Sequence, residues 1–177
     1  MRKVFLIAGL MIAFAVAVVA SSAAANFAGT WTLDKTKSQG LSPRMAGADK
    51  VTWTITQDAA TISIDTKVEG GQPPAGGGMG GGRPPAGPTA YKLDGSEVTS
   101  DVTFGQMTGK QTLKATWSGD TLELSRKTTG TGPDGTERTS TNTQKLSLSG
   151  DGKVLTAAVH SEGGRGGPSD STLVFNK

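Results

Sequence analysis

Four polar side chains fall on a face that otherwise reads as apolar. Arg126 follows Leu122 and Leu124 at intervals of two, and Arg138, Asn142 and Gln144 lead at the same interval into Leu146 and Leu148. Residues two apart share one face of a β-strand. Two guanidinium groups beside amides have the chemistry to hold a carboxylate or a phosphate. The arginines flank the turn at 130–135, so pairing across it is expected to bring them close, with an anion between them to relieve their repulsion. If the hairpin overhangs the core, the four side chains are simply solvated. If a barrel encloses a cavity, they line its mouth and form a ligand-binding set.

Other chemistry finds little support. Cysteine is absent and His160 is the sole histidine. No G-x-S-x-G elbow accompanies the many serines. His160 alternates with Leu155, Ala157 and Val159, which puts it on the wet face of its strand. Asp94 with Glu97, and Asp134 with Glu137, flank glycine-containing turns and read as turn chemistry, without the ligand count of a calcium site. The glycine runs lack the Gly-Lys-Ser/Thr of a phosphate-binding loop. No catalytic residue, metal site or cofactor is therefore expected, and a binding or structural role is favoured over an enzyme.

The elements that position these residues begin after a leader. Arg2 and Lys3 precede an unbroken apolar run from Val4 to Ala20, and Ala23 and Ala25 form an A-x-A site before Asn26. That order is a secretory signal peptide over residues 1–25, which implies a secreted or periplasmic protein. Loss of Arg2 and Lys3 lowers the formal charge from +3 to +1. A nearly neutral chain with scattered charges has no field to gather nucleic acid. No second apolar run is long enough to span a bilayer as a helix, so no stable membrane insertion is expected after cleavage. Short strands without an aromatic girdle argue against a transmembrane barrel. Oligomeric state has no signature in the sequence.

Residues 26–177 read as one all-β domain. Val51, Trp53 and Ile55 alternate with threonines, and Ile62 with Ile64, Leu113 with Ala115 and Trp117, and Leu122 with Leu124 do likewise. All three tryptophans are expected in the core. Asp-Gly and Gly-Asp pairs punctuate the runs as hairpin turns do. About ten strands in an antiparallel up-and-down meander are expected, closed into a barrel because closure removes exposed edges. Residues 69–88 interrupt the pattern: Gly and Pro fill 14 of these 20 positions, so a disordered insertion is expected.

The string Asn26-Phe27-Ala28-Gly29-Thr30-Trp31-Thr32-Leu33-Asp34 resembles the start of lipocalin-like (calycin-type) barrels, and its continuation to Ser38 resembles small secreted bacterial proteins of that kind. The resemblance implies that Gly29 and Trp31 close one end of the barrel and that a small apolar or amphipathic ligand occupies its interior. The alternative is a structural or protein-interaction module with a filled core and no ligand.

The leader carries the first prediction. Intact-mass analysis of protein exported by its own host should show Asn26 as the N-terminus; Met1 retained in a membrane fraction would contradict it.

Overall fold

In a computed structural model, the described residues are 24–70, 87–104, 107–131, 135–163 and 167–177. The leader through residue 23, and residues 71–86 of the Gly/Pro-rich insertion, lie outside the described residues.

Ten antiparallel strands form one sheet. They are β1 (Gly29–Leu33), β2 (Lys50–Gln57), β3 (Thr61–Glu69), β4 (Thr89–Lys92), β5 (Val98–Phe104), β6 (Met107–Ser118), β7 (Thr121–Thr131), β8 (Glu137–Leu148), β9 (Val154–Glu162) and β10 (Ser169–Asn176). A single helical turn, α1 (Pro43–Ala46), lies between β1 and β2; Pro43 starts it and Ser42 caps it. The order around the sheet is β4-β3-β2-β1-β10-β9-β8-β7-β6-β5. It is a meander in which the first strand also pairs with the last. β4 comes to lie against β6, so the barrel is nearly closed.

The expected facing holds over most of the sheet. Val51, Trp53 and Ile55 of β2, Ile62 and Ile64 of β3, Leu113 and Ala115 of β6, Leu122 and Leu124 of β7, Leu146 of β8, Leu155 and Ala157 of β9, and Leu173 and Phe175 of β10 all join one buried cluster. Each Val, Leu, Ile or Phe buried this way contributes about 1.5–3 kcal/mol relative to leaving it in water. Tight turns close the same end of the barrel. Gly119 and Gly152 take positive φ there, of 59° and 68°, which glycine adopts without steric cost. Trp117 departs from expectation: it is only partly buried. It is the last inward residue of β6 and stacks on Phe27 at the rim, centroids 6.1 Å apart, with one side open.

The contact that joins the two halves of the sheet is short. Between β1 and β10 the ladder pairs Thr32 with Asn176 and Leu33 with Phe175. Chain beyond β1 extends it. The Asp34 N–H donates to Val174 O at 2.7 Å, and Gln39 exchanges two bonds with Thr172 at 2.8 and 3.0 Å. The Asp34 carboxylate accepts from the Thr36 hydroxyl at 2.6 Å and from Asn176 Nδ2 at 3.2 Å. The Thr36 and Asn176 hydrogen bonds hold its pKa well below the usual carboxylate range.

A carboxylate with a lowered folded pKa stabilises the fold above its unfolded pKa, and that contribution is lost as pH falls through the folded value. The difference in thermal midpoint between wild type and Asp34→Ala should therefore be larger at pH 7 than at pH 2. An equal difference at both pH values would show that the ionised carboxylate is not what joins β1 to β10.

Candidate functional site

The inner wall changes character along its length. Near the tight turns it is aliphatic and aromatic; toward the other end it becomes polar. On β7 the inward series runs Leu122, Leu124, Arg126, Thr128, Gly130. Across the ladder these face Leu146, Gln144, Asn142, Ser140 and Arg138 of β8. Thus Arg126, Asn142, Gln144 and Arg138 occupy one face, the first three half-buried and Arg138 exposed.

The register separates the two arginines. Arg126 lies opposite Asn142, whereas Arg138 lies opposite Gly130. Four residues along a strand span about 13 Å. The expectation that pairing across the turn brings the guanidinium groups together is therefore corrected. Both flank the same turn, but Arg138 stands close to it and Arg126 well below it.

Arg126 sits instead among residues from other strands. Leu113 of β6 is its direct neighbour, and Gln111 is diagonal to it through Thr128. Gln111 is only 7% exposed, the polar residue among the described ones that reaches the buried set. Tyr91 of β4 is buried and lies within electrostatic reach of Arg126. Burial pushes the Tyr91 phenol pKa up, and the Arg126 charge partly opposes it. On the far side, Asn142 Nδ2 donates to Ser161 Oγ at 2.8 Å and Gln144 Nε2 donates to Asn142 Oδ1 at 3.0 Å. These bonds fix the amides of β8 in a chain that reaches β9.

The carboxylates are elsewhere. Pairs Lys67–Glu69, Lys110–Asp101, Lys114–Glu97 and Lys145–Glu123 all stand on the outer wall, at 2.7 to 3.6 Å. Counting in twos from the buried residues, no Asp or Glu of the described strands faces inward. Arg126 is therefore a half-buried cation on a wall that carries no described acid. Sequence reading missed Tyr91 because β4 is distant from β7 in the chain, and it missed Gln111 although β6 is the hairpin partner of β7; the period-two pattern Gln111, Leu113, Ala115 could have revealed the latter.

Trp31 is fully buried at the opposite, apolar end. Its Nε1–H donates to Phe27 O at 2.8 Å, and Lys177 Nζ stands 5.1 Å from its ring centroid. Gly29 lies close by, at φ 142°. Trp53, tilted against Phe175 at 4.3 Å, has a buried indole N–H without a hydrogen-bond partner. Two hollows lie outside the polar wall. One of about 420 Å³ is framed by Asn26, Gln57, Asp58, Leu93 and Trp117 at the apolar end, and one of about 250 Å³ lies around Lys145, His160 and Asp170. His160 is on the wet face as expected. Among the described residues no group of acids and histidine has the arrangement of a metal site.

Tyr91 is the sole tyrosine, so its ionisation can be followed directly. Its phenol should titrate above the ordinary value of about 10. Arg126→Gln should move it higher still, because a neighbouring cation is lost. An unchanged ultraviolet titration in that variant would mean that the two side chains are not neighbours.

No protein-family model, curated protein or solved structure matches the chain, so the geometry alone bears on its function.

Proposed function

We propose that the chain is an exported, lipocalin-like β-barrel that binds a small amphipathic anion by its polar inner end. The reading rests chiefly on Arg126, half-buried beside Leu113 and Asn142 and within electrostatic range of Tyr91, on a wall without a described carboxylate. A cation drawn partly out of water needs a counter-charge or a set of hydrogen bonds. A ligand carboxylate or phosphate would supply both, with Gln111, Asn142 and Gln144 completing its contacts. The apolar part of such a ligand would lie toward Leu113. Export rests on the leader motif.

A second reading keeps a specific observation in its favour. Phe27, Trp31, Leu122, Leu124, Leu146, Leu155 and Phe175 are completely buried, so the apolar end is filled with side chains. A barrel filled throughout would be a structural or interaction module.

Titration with cis-parinaric acid separates the readings. Wild type should bind the probe. Arg126→Gln should weaken binding by roughly 10- to 100-fold, the loss expected for a charge-assisted hydrogen bond of about 1.5–3 kcal/mol. Arg138→Gln, exposed and farther out, should weaken it less, and neither change should lower the thermal midpoint appreciably. Absence of probe binding by the wild type would favour the filled barrel; binding indifferent to Arg126→Gln would remove Arg126 from the site.

A further inference from the structure

His160 projects from the outer wall of β9 with a carboxylate at each ring nitrogen. Nδ1 is 2.6 Å from Asp170 Oδ1, directly across the ladder on β10, and Nε2 is 2.9 Å from Glu162 Oε1, two residues on. A carboxylate only accepts, so both contacts are hydrogen bonds only when both ring nitrogens carry protons. A neutral imidazole has one N–H, and its bare nitrogen would then face a carboxylate oxygen. The acids approach opposite sides of the ring, which prevents one metal ion from taking all three groups.

We propose that His160 is a proton-operated clasp on the β9–β10 hairpin, closed when the imidazole is charged and loosened when it is neutral. The proposal is independent of any ligand. Asp170 pairs with His160 in the ladder, and Ser169 with Ser161 in the next rung toward the connection at 163–168. Ser161 also accepts the hydrogen bond from Asn142 on the inner side, so the clasp sits back to back with the polar wall.

The surrounding charges support the charged form. β9 itself contributes Glu162 and β10 contributes Asp170. β8 presents Thr143 opposite His160 and Lys145 diagonally, and Lys145 is held 3.4 Å from Glu123 of β7. Lys127 of β7 lies one strand beyond Thr141, the residue opposite Glu162. Two acids thus bond the ring, while Lys145 pairs with Glu123. The Glu162 and Asp170 hydrogen bonds raise the His160 pKa above its ordinary value. A raised folded pKa means that the stabilisation is fully present below the unfolded pKa and is lost as pH rises through the folded one.

With one histidine in the chain, its ring protons give an unambiguous NMR titration. The wild type should titrate above about 6.5. Asp170→Asn and Glu162→Gln should each lower the value. Amide exchange at residues 158–162 and 169–172 should accelerate across this pH range relative to the β6–β7 ladder, which experiences the same intrinsic chemistry. A wild-type value at or below the ordinary one would overturn the clasp, as would hairpin exchange that tracks β6–β7 at every pH. If Asp170→Asn fails to fold, Glu162→Gln and wild-type exchange still decide.

Discussion

The barrel depends on the pairing of its first strand with its last. Two ladder rungs join β1 to β10, and every other ladder pairs strands consecutive in the chain. Without that contact there would be two separate sheets, each with an added free edge. The chain reinforces the short ladder beyond its end. Val174 N–H donates to Ser38 Oγ across 136 residues of sequence, and Asn176 Nδ2 donates to Asp34 Oδ2 across 142. The packing follows the same join: Phe175 lies against Trp53, and Lys177 reaches over Trp31. Contacts of such long range can reward the chain only after most of the loop entropy has been lost.

Around that join the barrel is asymmetric along its axis. The end that carries Trp31, Phe27 and Phe175 is filled with large apolar side chains and closed by tight turns. The other end keeps the strand geometry but replaces aliphatic residues with Gln111, Arg126, Asn142 and Gln144. Packing at the first end supplies the burial that stabilises the fold. The second end is then free to carry groups that gain little from water exclusion and that need partners. Structural and chemical demands thus fall on different residues of the same strands.

Charge is divided between the two walls as well. Outside, lysines pair with acids across neighbouring strands, and such exposed pairs contribute about 0–1 kcal/mol each. They matter more as guards on a large sheet surface. His160 is the outer group whose two partners both demand a proton. Inside, Arg126 has an aromatic phenol and amides near it but no described acid. The same alternation that separates apolar from polar residues therefore also sorts paired charges outward and leaves a cation within.

The local pattern of the chain was enough to reveal strands, their faces and many turns. Period-two alternation depends only on backbone pleat, so Leu122 and Leu124, or Val51 and Ile55, could be placed inward without knowing their neighbours. It also put Arg126, Arg138, Asn142 and Gln144 on one face and His160 on the other. Register could not be read this way. The β7–β8 ladder register sets Arg126 against Asn142 and Arg138 against Gly130, and one face pattern fits several such alignments. Closure is still less local. Tyr91 comes within electrostatic range of Arg126, and Trp117 remains partly open at the rim, because of how β4 meets β6 and where β6 ends. Asp170 reached His160 through the β9–β10 register, whereas Glu162 shares its strand and face at a spacing of two. Side-chain direction is written in two-residue steps along the chain, whereas proximity between strands is set by ladders and by closure of the whole barrel.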